Sequence, residues 1–121
     1  MHEQYVTYSE ISKIDLLAHF ASKYGVKKKV LRIFLEMCER YGPLGVSEFI
    51  ASFTKVSYRE AVYVHRSVAL HNELLHLLRH GAKISEEGVL SRISKGDVLV
   101  EEVNGERRIR GAYRDLVFRR A

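Results

Sequence analysis

Ser47-Glu48-Phe49-Ile50-Ala51-Ser52-Phe53, then Thr54-Lys55-Val56-Ser57, then Tyr58-Arg59-Glu60-Ala61-Val62 is the stretch on which the fold turns. Ser47 is a good N-cap, and Phe49, Ile50 and Phe53 recur at helical spacing, so a short helix is expected over 47–53. Thr54-Lys55-Val56 interrupts that period. Ser57 and Glu60 then have the spacing of a capping box, which opens another helix at Tyr58. Its apolar stripe is Ala61, Val64, Val68, His71, Leu75 and Leu78, with Leu70, Leu74 and Leu77 beside it. The stripe carries the helix to His80, with Gly81 as its stop. The β-branched and tyrosine content of its first half leaves room for a break near His71-Asn72.

Upstream, a helix over 26–41 is read from Val30, Ile33, Phe34, Met37, Cys38 and Tyr41, widened by Leu31 and Leu35. Gly42-Pro43 ends it. Before it, Ile11, Ile14, Leu17, Ala18, Ala21 and Tyr24 predict a helix over 9–24, capped by Ser9 and stopped by Gly25. Residues 1–8 have no clear period and read as irregular or as a short strand. Downstream of Gly81 glycines return and β-branched residues alternate with charges. Val98 to Val103, Asn104-Gly105 and Glu106 to Arg110 predict a hairpin with a two-residue loop. That loop sets Val103 against Glu106, Glu102 against Arg107, Glu101 against Arg108 and Val100 against Ile109. Val98, Val100 and Ile109 would then share a face. Val89 to Ile93 reads as a third strand, and 112–121 as a last strand or a short helix.

This order of helix, short helix, tight turn, longer helix and hairpin resembles the winged helix-turn-helix superfamily over roughly 30–110. Ala51 is the small residue where the two helices of such a unit pack closely, and Val56-Ser57 match the end of the turn and the following cap. The helix after the turn exceeds a usual recognition helix by about two turns. The expected fold is therefore α+β and mainly helical: one domain over 1–121, with a winged-helix core over 26–110 and an extra N-terminal helix over 9–25.

The resemblance implies that the N-terminal residues of the second helix face a DNA major groove. Here these are Ser57, Tyr58, Arg59, Tyr63 and Arg66, with Lys55 in the turn before them. Arg59, Tyr63 and Arg66 fall at i, i+4 and i+7, opposite the apolar stripe. Arginine can hold guanine edges or phosphates, and tyrosine can donate to phosphate. The hairpin would be the wing, where Arg107, Arg108 and Arg110 follow the tip. Glu102 and Glu101 opposite would partly neutralise Arg107 and Arg108. Lys27-Lys28-Lys29 with Arg32 is the densest basic cluster. Cations at a helix start oppose the macrodipole, a small cost that points to a use such as phosphate contact.

Composition sets the outer bounds. The chain has 121 residues, 46% hydrophobic and 29% charged, with a formal charge of +5. These values fit a globular domain with affinity for polyanions and exclude a disordered chain. No apolar run reaches membrane-spanning length. The start, Met1-His2-Glu3-Gln4-Tyr5, has neither the basic nor the apolar region of a signal peptide, so a cytoplasmic location is expected. Cys38 is the single cysteine, which excludes an internal disulfide. His76 and His80 share a helix face with Glu73, but no third His or Cys stands at a matched position, so no metal is expected. His71, Met37 and Cys38 read as packing. No phosphate loop, nucleophile elbow or Cys-His pattern is present, and neither catalysis nor a cofactor is expected. The functional expectation is double-stranded DNA binding by a small transcriptional regulator, as a homodimer, since two half-sites supply usable specificity. The N-terminal helix over 9–24 and the long helix ending near His80 offer apolar surface for that dimer. A protein–protein assembly module on the same scaffold and an RNA-binding accessory protein are the alternatives.

Overall fold

A glycine-stopped helix order runs through the computed structural model, which describes residues 5–45, 57–93 and 96–118. The helix expected over 47–53 and the turn residues 54–56 lie outside these. The elements in chain order are β1 (Tyr5–Val6), α1 (Tyr8–Ser12), α2 (Leu16–Tyr24), α3 (Lys28–Gly45), α4 (Tyr58–Arg79), β2 (Ile84–Ser85), α5 (Glu86–Arg92), β3 (Val100–Val103), β4 (Glu106–Ile109) and α6 (Gly111–Val117). The structure is mainly helical with a C-terminal antiparallel hairpin. Its contacts gather into two units, Asp15–Val68 and Met1–Ile14 with Ala69–Ala121, and α4 belongs in part to each.

In the Asp15–Val68 unit, α2 starts where the sequence offers a carboxylate. The Asp15 side chain accepts the Ala18 N–H at 3.0 Å and so caps the helix. Gly25 ends it with φ at 67°, a left-handed conformation that costs glycine nothing. α3 packs on α2 and buries Leu31, Phe34 and Cys38. Burial pushes the Cys38 thiol up to about 11. Gly42, at φ 78° and ψ 155°, breaks the helical path where Gly42-Pro43 was expected to end it, and helical geometry resumes to Gly45. The buried face of α3 is rotated from the one expected, because Ile33 and Tyr41 stay outside. On α4 this unit buries Ala61, Tyr63, Val64 and Ser67. The Ser67 hydroxyl donates to the Tyr63 carbonyl at 2.6 Å, which satisfies it inside the core.

In the other unit, β1 and β2 pair antiparallel, Tyr5 opposite Ser85 and Val6 opposite Ile84. Residues 5–6 thus form the short strand that was one of the two readings. The N-terminal helix is interrupted, correcting the continuous helix over 9–24. α1 is capped by Thr7, which with Glu10 forms a capping box, and α2 restarts at the Asp15 cap. The first cap is therefore Thr7, not Ser9. α4 runs unbroken through His71 and Asn72 and buries Leu70, His71 and Leu74. Gly81 follows with φ at 88°.

The strand expected over 89–93 is instead the helix α5. The Ser85 hydroxyl accepts the Gly88 N–H at 3.1 Å, and Glu86 and Glu87 stand in the first turn. A cap and two carboxylates at the positive end of the dipole outweigh the β-branched residues that follow. The hairpin has the expected register throughout: Val100 with Ile109, Glu101 with Arg108, Glu102 with Arg107 and Val103 with Glu106. Asn104 and Gly105 have φ of 53° and 80°, as a type I′ loop requires. Ile109 is fully buried, but Val98 lies before the strand and is only half-buried, and Leu99 takes the inner position. The tail forms the helix α6, which buries Tyr113 and Val117. Its Arg114 Nε donates to Glu86 Oε1 of α5 at 2.8 Å. No helix among the described residues is long and apolar enough to cross a membrane.

Candidate nucleic-acid interface

The first turn of α4 is set by its cap. Ser57 is exposed, and its hydroxyl accepts the Glu60 N–H at 3.2 Å. This hydroxyl is engaged in holding the helix start. Glu60 is turned inward, where its carboxylate accepts a hydrogen bond from Tyr24 Oη at 2.7 Å. With its acid drawn away, the opposite side of the turn keeps Arg59, and two turns later Arg66; both are exposed. Seven residues of α-helix place them about 10 Å apart along the axis. Tyr58 opens the same helix. Lys55 lies outside the described residues.

Tyr63 does not belong to this face, contrary to the reading from its spacing. It is fully buried, with its ring edge-on to Phe20 at 5.9 Å. The stripe expected along Ala61, Val64 and Val68 is widened on the Tyr63 side, and an aromatic ring placed there gains more from the core than from solvent. His65, between the arginine positions in sequence, is half-buried, and its Nδ1 has no hydrogen-bond partner among the described residues. Burial, then the Arg66 charge, hold its pKa below the usual 6.5, against the pull of Glu39.

The lysine run divides by function. Lys27 is exposed, and its carbonyl accepts the Leu31 N–H at 3.1 Å, the first turn of α3. The Lys28 ammonium is 2.5 Å from Asp15 Oδ2, the same carboxylate that caps α2. Lys28 therefore offsets its own cost at the helix start through Asp15, and that pair holds the Asp15 pKa below its ordinary value. Lys29 and Arg32 are exposed on α3, as is Arg40, whose place on this surface the sequence reading did not single out. The charge is unevenly shared. The Asp15–Val68 unit holds nine Lys and Arg against five Asp and Glu, +4 of the chain's +5.

In the other unit the hairpin presents Arg107 to solvent beside the loop. Arg108 pairs with Glu106 on its own strand, at 3.1 Å, rather than with Glu101 across the ladder. Residues two apart on a strand share a face, so this partner competes at no cost in register. Arg110 is half-buried, and its backbone N–H donates to the Leu99 carbonyl as the chain enters α6. His76 and His80 meet edge to face, with ring centroids 4.5 Å apart. No group of three or more His, Cys, Asp or Glu among the described residues is placed to hold a metal ion. Arg79 lies over the Tyr8 ring and donates to its hydroxyl at 2.9 Å, a contact that the sequence reading missed because 71 residues separate the two.

No protein-family model, curated protein or solved structure matches the chain.

Proposed function

We propose that this chain binds double-stranded DNA through the arginine face at the start of α4, as a small cytoplasmic transcriptional regulator of winged helix-turn-helix type. The observation that carries the reading is the pair Arg59 and Arg66, both exposed on the first half of a capped 22-residue helix whose other side is core. A helix of about 10 Å between two guanidinium groups spans roughly three base pairs, and a major groove about 12 Å wide admits it. The surplus of +4 in the Asp15–Val68 unit supplies the long-range attraction.

Arg59 and Arg66 are the groups that reach base edges or the phosphates beside them. Lys27, Lys29 and Arg32 add phosphate contacts, while Lys28 is held by Asp15. Arg107 of the hairpin acts as a separate phosphate contact, and Arg108 contributes less because Glu106 holds it. Ser57 caps α4 rather than making a contact of its own. Titration of labelled duplex at several salt concentrations, with Arg59→Ala and Arg66→Ala, tests the reading. A matched RNA duplex in the same assay separates DNA binding from RNA binding.

A further inference from the structure

Helix α3 carries an apolar ridge that stays exposed. Ile33 is 44% accessible and Tyr41 62%, and half-buried Met37 lies between them. Positions i, i+4 and i+8 form one of the ridges through which helices interlock. At 100° per residue, Glu36 and Arg40 fall together along one edge of that ridge. Both are exposed, and neither forms an ion pair with a described residue. On α2, by contrast, Leu16, Phe20 and Ala21 are buried.

We propose that this ridge is the contact between two copies of the chain, with their α3 helices antiparallel about a two-fold axis beside Met37. The register follows from symmetry, since a residue n places before Met37 faces one n places after it. Ile33 of each copy then meets Tyr41 of the other, and the two Met37 side chains meet each other. Glu36 lies one residue before the axis and Arg40 three residues beyond it. The two-fold therefore brings Glu36 to within about 3 Å of the axial level of the partner's Arg40, on the same flank. The two charges are opposite, so each interface carries this complementarity twice. A parallel two-fold pairing would instead carry the Glu36 and Arg40 flank of one copy to the opposite side of the interface from that of the other, so neither charge would meet its complement. The contact stands independently of what the arginine face of α4 binds.

Sedimentation equilibrium of the full chain over a wide dilution series tests this. The wild type is expected to dimerise reversibly. Ile33→Glu should weaken the dimer by about tenfold or more, as loss of a central anchor does, with its thermal melt by circular dichroism still cooperative because Ile33 is a surface residue. Glu36→Arg should weaken it as well, and adding Arg40→Glu to that variant should restore the dimer, because the cross-interface pair re-forms with its polarity reversed. A wild type that remains monomeric at every concentration overturns the proposal. So does an Ile33→Glu variant that dimerises as tightly as wild type, or a double charge swap that fails to recover.

Discussion

The ring of Tyr63 stands edge-on to Phe20, 5.9 Å between centroids and nearly perpendicular at 85°. Phe20 is in turn stacked on Tyr24 at 6.3 Å, and the Tyr24 hydroxyl donates to Glu60. One aromatic chain thus ties α2 to the first two turns of α4. It also fixes which side of α4 is turned to solvent, and so places Arg59 and Arg66 there.

Removing the buried ring should cost far more than removing a surface contact. Tyr63→Ala is expected to destabilise the protein by on the order of 3 kcal/mol, because a large side chain is deleted from a packed core. A urea denaturation curve checks it. A variant as stable as wild type would return Tyr63 to the surface and shift the arginine face with it.

The hairpin loop makes a backbone prediction. Gly105 has φ at 80°, and an added Cβ would meet no atom within 4 Å. The cost of Gly105→Val is therefore conformational rather than steric, roughly 1 kcal/mol or more for a β-branched residue held at positive φ. Thermal melting should show it. Gly105→Asn should be milder, since asparagine tolerates the left-handed region that Asn104 already occupies at φ 53°.

His65 makes the stability depend on pH. Its folded pKa lies below the usual 6.5, first through burial and then through Arg66. The unfolded chain therefore takes up this proton first as pH falls. Stability is unaffected by this group above the usual value and is lost as pH drops from 6.5 toward the folded pKa. His65→Gln should flatten that part of the curve. Urea midpoints measured from pH 7.5 down to pH 5 would show it, and equal slopes in the two proteins would contradict it.

The parts of this structure that local chemistry decides could be read from the chain. Asn104-Gly105 admits one two-residue loop, and that loop dictates all four facing pairs of the hairpin. Gly25 and Gly81 end their helices at positive φ as their positions imply. The errors arose where two local choices were nearly equal and tertiary contacts decided. Asp15 fits a helix interior as well as a cap, and it became a cap because its other carboxylate oxygen also holds Lys28. Ile33 and Tyr41 fit the apolar period of α3, yet Leu31, Phe34 and Cys38 lie on the face that meets the core. Tyr63 has both an apolar body and a polar tip, and only the position of Phe20 shows which one matters. In the candidate site, the exposure of Arg59 and Arg66 agrees with their spacing, although the same spacing misplaced Tyr63, whereas the ion pair of Lys28 required knowing that Asp15, thirteen residues earlier, is the cap of α2.

Duplex binding as a function of salt decides the account. The wild type is predicted to bind a labelled DNA duplex at low salt, with an affinity that falls linearly in log–log form by about 0.9 per phosphate contacted. Replacing Arg59 and Arg66 together with alanine should leave the melt cooperative and weaken binding. An arginine that reads a base should lose about 1–3 kcal/mol and relax sequence preference, while one that holds phosphate should weaken all sequences alike and lower the slope by about one. Arg107→Ala should show only the second behaviour. If the wild type fails to bind duplex at low salt, or if the Arg59→Ala, Arg66→Ala double variant binds as well as wild type, the arginine face of α4 is not a DNA-binding surface.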